Sequence, residues 1–425
     1  VRLSTIFITL SLIASIAVPP FLDLGLQFTL ITALTAALFA TAFNLLAGQA
    51  GMLSFGHAAF FGLGAFGVLH LMQVVERGFG VPTVLLPAFG GLVGLLTGFA
   101  FGYFATRRSG AYFSLITLAL AELLHVAAPR WTSLFGGEAG ISSMRMPSLG
   151  VTFGATIEVY YLTLAWFLIS VGALYYLSRT PFGLLILSLR DSEERVRFMG
   201  YDAERSKVLV FAISAMFTGI AGGLAAMAIE TANFSIFAMH TSAQAVLYTF
   251  VGGTAVFMGP AVGAIVFTLF AYWVSNATAA WLFYQGLIFV LVILFAPQGL
   301  GGILQTHYRA RHQLDWSRLA SPYVLYALGM AITAFGVVFV VHSIEILFSS
   351  SYRLAAEVEG GLPAYEMFGR AWGPLAPLTW GGPIFALVVG IALMRRSRRN
   401  IALVWADTRE ERVEARNLDV EEKRT

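Results

Sequence analysis

The 425 residues are 58% hydrophobic and only 12% charged, against about 25% charged in an average soluble domain, and a soluble fold of this length could not hide so much apolar side chain. The absence of cysteine excludes disulfides, thiol catalysis and cysteine-bound zinc or iron–sulfur centres. A formal charge of +3 is too small to point to nucleic acid, and the scattered histidines have no HExxH spacing. No catalytic residue, metal ligand or bound cofactor is therefore expected.

Apolar residues arrive in blocks of about 17 to 25, the length that carries a helix at 1.5 Å per residue across a hydrocarbon core of about 30 Å. Barrel strands would instead alternate with period two. The pattern predicts an all-α polytopic membrane protein of about 12 transmembrane helices, one of them broken or re-entrant. The expected spans lie near residues 3 to 19, 26 to 46, 52 to 73, 82 to 106, 110 to 128, 158 to 178, 207 to 229, 242 to 258, 261 to 280, 282 to 296, 322 to 347 and 377 to 394. The first block, Arg2 followed by an apolar run to Pro19 and Pro20, reads as a retained span in preference to a cleaved signal peptide.

GQAGMLSFGHAAFFGLGAF, residues 48 to 66, opens on a glycine-flanked turn, the mark of a broken helix lining a cavity. It sets Ser54 and His57 inside an otherwise apolar helix, either as packed polar groups or facing a solute path. Gly90, Gly94, Gly98 and Gly102 recur every four residues, laying a groove along one face of the fourth span that lets another helix approach closely. Glu122 and His125 share a face of the fifth span, as His342 and Glu345 share one of the eleventh. Each pair is a proton relay or a satisfied contact near a helix end, where snorkelling relieves the cost of charge. Glu122 joins Ser54 and His57 as a candidate for the translocation path.

Residues 179 to 206 read as a short helix outside the membrane. Asp191 or Ser192 serves as its N-cap, Glu193 and Glu194 occupy the first turn, Arg195 and Arg197 follow, and Gly200 stops it. Val196 and Met199 would form a small apolar face within a charged surround. The mixed charge disfavours simple adhesion to anionic lipid and favours docking of a cytoplasmic partner.

The basic residues set the orientation. With the N-terminus inside, only Arg77, Arg130, Arg145, Arg353 and Arg370, out of 26 basic residues, fall in outside segments. This obeys the positive-inside rule with both termini cytoplasmic. The final stretch, 395 to 425, begins RRSRRN and continues with mixed charge; it reads as a cytoplasmic helix or a disordered end whose basic cluster anchors the last span.

Six blocks in order then carry a resemblance: NLLAGQAGMLSFGHAAFFGLGAF, GAYFSLITLALAE, FGGEAGIS, the long stretch from TPFGLLILSLRDSEERVRFMGYDAERSK to AGGLAA, FVGGTAVFMGPAVGA and FAPQGLGGIL. Over residues 25 to 304 or so the chain resembles the permease subunits of branched-chain amino acid ABC importers, of the LivM type. The resemblance implies an importer permease over 1–304; beyond it the chain departs from the family pattern, with an atypical two-helix membrane extension over 305–394 and a charged cytoplasmic tail over 395–425. The resemblance also implies that the loop from Thr180 to Lys207 carries the helix that couples to a separate ATPase. Arg190, Asp191, Glu193, Glu194, Arg195, Val196, Met199 and Gly200 would then form the coupling element.

The implied partners are two ATPase subunits, which use ATP and Mg, a second related permease, and a periplasmic solute-binding protein; membrane lipid surrounds the assembly in a bacterial inner membrane. Neither Lys207 nor Lys423 lies in a GxxxxGK[ST] loop, so ATP hydrolysis is expected in the partners and this chain is not an enzyme. The solute would be a branched-chain amino acid or a related small polar molecule, such as urea, a short amide or a small carboxylate. Residues 230 to 250 follow the family pattern only loosely. The alternative is an ion-coupled secondary transporter or channel using Glu122 and His125.

Overall fold

In the computed structural model the described residues are 2–311, 314, 316–367 and 369–422, with the side chains of 2–8, 11, 359 and 407–422 outside the description. The helices in chain order are α1 (Arg2–Ala17), α2 (Leu24–Asn44), α3 (Ala58–Glu76), α4 (Leu86–Ala105), α5 (Ala111–Ala127), α6 (Thr132–Phe135), α7 (Thr156–Arg179), α8 (Pro181–Asp191), α9 (Glu193–Phe198), α10 (Ala203–Ile229), α11 (Met239–Gly252), α12 (Gly259–Ser275), α13 (Trp281–Phe295), α14 (Gly299–Ala310), α15 (Trp316–Phe348), α16 (Ser350–Glu359) and α17 (Pro377–Glu422). Two short antiparallel ladders complete the chain: β1 (Ile141–Ser142) with β2 (Thr231–Ala232), and β3 (Tyr365–Met367) with β4 (Arg370–Trp372).

The chain is an all-α, multi-pass membrane protein. Among the described residues, 7 helices are long and apolar enough to cross a membrane, or 8 if α13 and α14, bent by 46° at their break, form one span. The other expected spans are shorter: α1 has 16 residues, α5 17, α11 14 and α12 17. At 1.5 Å per residue they reach about 21 to 26 Å, at or below the short end of the lengths that cross a hydrocarbon core of about 30 Å. The span expected near 52 to 73 starts only at Ala58, and the one expected near 242 to 258 ends at Gly252, where Gly253 turns the chain with φ +99°.

Residues 1–274 with 285–305 form one compact unit, and residues 275–284 with 306–425 a second. In the first, α10 is the central helix, buried along most of its length and packed by α2, α3 and α4. The α4 glycines lie against it. A Cβ on Gly90 would stand 2.7 Å from the Gly219 carbonyl, one on Gly98 would meet Ala215 Cβ at 2.6 Å and Ala212 Cα at 2.9 Å, and one on Gly102 would meet Phe211 at 3.0 Å. Gly94 faces the Ala215 carbonyl. Backbones this close gain dispersion contacts that larger side chains would prevent.

In the second unit, α15 and α17 pack together through Gly329, Gly336 and Gly390. The Glu345 carboxylate accepts from Thr278 Oγ1 at 2.7 Å and from the Ala279 amide at 3.0 Å, and meets His342 Nδ1 at 3.1 Å. The segment after α15 folds as α16 and the β3–β4 hairpin around Phe339, Tyr352, Tyr365 and Met367. α17 continues beyond Arg395 as one helix to Glu422; the end of the expected tail, with Lys423 and Arg424, lies outside the described residues.

Candidate functional site

The loop between α7 and α10 folds as two helices. Thr180 accepts from the Gly183 amide to start α8, with Pro181 at the first helical position, where its missing N–H costs nothing. Ser192, extended at φ −166°, ends α8 and caps α9 by accepting from the Arg195 amide at 3.3 Å. Asp191 is thus the last residue of α8 and Ser192 the cap. Gly200, at φ +87°, closes α9: its amide donates to the Arg197 carbonyl while that of Tyr201 reaches back to Val196. This is the paired bonding of a left-handed C-terminal cap.

The expected apolar face is rearranged. Val196 is fully buried in a small cluster with Leu185, Leu189 and Ala203, so it holds α9 onto α8 and the head of α10. Met199, past the last helical turn, points elsewhere and is half exposed. The apolar side chains that stand out are Phe198, 90% exposed, with Met199 and Tyr201. Glu194, Arg195 and Arg197 are exposed around them. Helical periodicity pairs Val196 with Met199, but Met199 is already the C-cap of a six-residue helix and leaves the buried face.

Glu193 faces inward. Its Oε1 accepts from Ser109 Oγ at 3.1 Å and is ion-paired with Lys207, whose Nζ also donates to Ser109 at 3.0 Å. Burial alone would raise the Glu193 pKa; the hydrogen bond and charge of Lys207, the Ser109 hydroxyl and the Arg197 charge outweigh it and hold the carboxyl below its usual range. Lys207, itself buried, and Ser109 were not singled out as site residues in the sequence. A rare lysine at the head of an apolar helix was the available signal.

Arg190 reaches the other way, donating from Nη1 to the Gly48 carbonyl at 2.7 Å. Gly48 lies in a π-helical turn, Leu45–Gln49, that ends α2. An irregular segment follows from Ala50 to the start of α3. A cavity of about 660 Å³ lies between this segment, the start of α5 and the α8–α9 junction; Met52, Phe113, Arg108, Asp191 and Lys207 are among its walls.

Ser54 and His57 lie on this irregular segment, not within the helix expected from the sequence. Both are fully buried, and neither lines the cavity. His57 Nε2 is 2.9 Å from Ser214 Oγ, and Nδ1 is 2.9 Å from Ser54 Oγ. Because the Ser214 hydroxyl donates to the Ala42 carbonyl at 2.7 Å, it must accept from His57 Nε2–H, and Ser54 then donates to Nδ1 in the neutral ring. The imidazole therefore ties the segment to α10 and α2. Side chains also satisfy the segment's backbone: Ser114 donates to the Leu53 carbonyl, Thr117 accepts from the Phe55 amide, and Ser242 accepts from the Ala58 amide.

Glu122 is half-buried on α5. His125 bonds the Phe234 carbonyl at 3.2 Å, and no hydrogen bond joins it to Glu122 among the described residues. The described residues also contain no cluster of three metal-ligating side chains.

Comparison with known proteins places the sequence in a family. The family model described as the permease component of the branched-chain amino acid transport system matches residues 25–297. The high-affinity branched-chain amino acid transport system permease protein LivM of Salmonella typhimurium is 26% identical over 281 residues, covering 60% of this chain and 65% of that protein; LivM of Escherichia coli gives the same figures. The probable branched-chain amino acid transport permease protein LivH of Methanocaldococcus jannaschii is 22% identical over 287 residues, 63% of this chain and 84% of that protein. The chain spans about 65% of the length of the LivM relatives, and no solved structure matches it. Since the family model covers well over half of the sequence, this chain belongs to the branched-chain amino acid transport permease family.

Proposed function

We propose that the chain is the membrane-spanning permease subunit of an ATP-driven importer for branched-chain amino acids or a related small polar solute. It works beside a second related permease in a bacterial inner membrane, with both termini cytoplasmic. Two ATPase subunits, which consume ATP and Mg, dock on the element from Ser192 to Tyr201, and a periplasmic binding protein delivers the solute. ATPase closure displaces this element and, through it, the glycine-packed helices around the path.

The observation that carries this reading is the two-sided character of α9. Val196 and Glu193 fasten it to the permease, while Phe198, Met199 and Tyr201 project as an exposed apolar knob. An aromatic side chain held out on a capped, anchored helix has the character of an interface anchor. Its loss should weaken docking without weakening the fold, since the Phe198 side chain is 90% exposed.

Co-purification of the ATPase subunits with the permease tests this. Phe198→Ala should reduce ATPase affinity by about 10- to 100-fold, the loss typical of a truncated anchor, with the permease inserted normally and its unfolding temperature unchanged. ATPase affinity equal to wild type in both Phe198→Ala and Phe198→Asp would refute docking at this element.

A further inference from the structure

We infer that Arg190 is the positioning residue through which the α8–α9 element moves the π-helical break at the end of α2. This inference rests on the proposed function and adds to it the route by which a displacement enters the membrane-embedded helices.

Two contacts place Arg190 on the break. Its guanidinium donates to the Gly48 carbonyl at 2.7 Å. In the π turn the amides of Ala50 and Met52 fold back onto the Leu45 and Leu46 carbonyls, so the later carbonyls lie beyond the helical ladder and need outside donors. A cation there also faces the negative end of the α2 dipole. The Arg190 stem rests on Gly51, whose φ of +71° suits glycine and whose added Cβ would meet Arg190 Cγ at 3.0 Å. One side chain thus holds both the last π turn and the first turn after it.

The surroundings make this contact a transmission point. The 660 Å³ cavity lies between part of segment 50–55 and the α8–α9 junction, and at its edge Arg190, on Gly48 and Gly51, is where the two walls touch. The far end of the segment is fixed, because Ser54, His57 and Ser214 bind it to α10 and α2. The element itself is tethered at Glu193 to Lys207 and Ser109. A displacement of α8–α9 about that tether therefore pulls on Gly48 and Gly51, between a moving end and a held one. π-helical turns are suited to such a role, since they exchange with α-helical geometry by shifting one hydrogen bond and are common at functional sites.

The chain has no cysteine, so a single Met52→Cys, on the cavity wall, reports the segment's exposure to a maleimide. The experiment uses the full transporter in proteoliposomes and reads two quantities: the change in labelling rate on adding ATP, and solute moved per ATP hydrolysed. With Arg190 present, ATP should change the labelling rate by about tenfold; with Arg190→Met that change should vanish and solute per ATP should fall by about tenfold, within the range of coupling-network substitutions. Arg190→Lys, which keeps the charge but not the forked reach, should lower solute per ATP by a smaller factor, and it decides the matter if the methionine variant does not assemble. Wild-type coupling in Arg190→Lys and in any assembled Arg190→Met would overturn the inference, as would solute transport by the parent transporter with no ATP-dependent change at Met52→Cys. Absence of ATP-driven transport in the parent transporter would instead overturn the proposed function.

Discussion

Lys207 carries the greatest electrostatic risk of any single residue around the α8–α9 turn. Its ammonium is buried at the head of α10, and a charge there is tolerable only with partners, here Glu193 and Ser109. Glu193→Gln should therefore destabilise the chain by about 1 to 3 kcal/mol, toward the lower end because Glu193 is one-third exposed and screened. Adding Lys207→Met should recover part of that loss, a coupling that thermal unfolding of both single variants and the double variant would measure. The pH dependence has a definite sign. The Glu193 carboxyl is depressed in the fold, so its stabilisation is present above the ordinary glutamate pKa of about 4.3 and is lost as pH falls through the lower folded value. Wild type should lose stability over that acid range, and Glu193→Gln should lose less; equal acid profiles would count against the ion pair. At this scale the sequence was only partly legible. It drew attention to Ser54 and His57, but the bridge they form needs Ser214, 157 residues from His57, and no local spacing encodes such a partner.

Among the elements, the α8–α9 turn was readable because its signals are local: Ser192 ahead of two acids, Gly200 after two arginines. The boundary between its two helices was not, since both Asp191 and Ser192 are good caps and only the extended backbone at Ser192 decides. The broken segment was legible as a glycine interruption, yet its extent was not, because Ala50 to Ala58 draws its hydrogen bonds from α5, α10 and α11. The glycine stripe of α4 is a clearer case, since a period of four defines a face whatever packs on it. Here Gly98→Ala puts a methyl 2.6 Å from Ala215 Cβ and 2.9 Å from the α10 backbone at Ala212, which neither side can yield without the helices separating. We expect a loss of about 1 to 3 kcal/mol, seen as a lower unfolding temperature in detergent. Gly172 on α7, with open space at its Cβ position, is the control: Gly172→Ala should be neutral or slightly stabilising, and equal effects at the two positions would contradict close α4–α10 packing.

For the whole molecule, hydropathy made the polytopic class plain but not the number of spans: 7 or 8 among the described residues pass on length. Sequence does not separate a short crossing from a buried helix such as α11 or α12, because burial against neighbouring helices demands the same residues as burial in lipid. Orientation can be measured directly, since the sequence is free of cysteine. In intact cells a single Phe198→Cys should resist an impermeant maleimide until the membrane is opened, whereas Met144→Cys, exposed on the loop before α7, should label at once; the reverse pattern would invert the topology. The central claim is that the energy for transport comes from an ATPase outside this chain, applied at the α8–α9 element. The most direct test is uptake of labelled leucine, with the binding protein outside, by right-side-out vesicles containing the assembled transporter, with ATP enclosed on the cytoplasmic face and ion gradients collapsed. The account predicts uptake that requires ATP, survives loss of the gradients and falls sharply in Phe198→Ala; uptake driven by a proton or sodium gradient without ATP would contradict it.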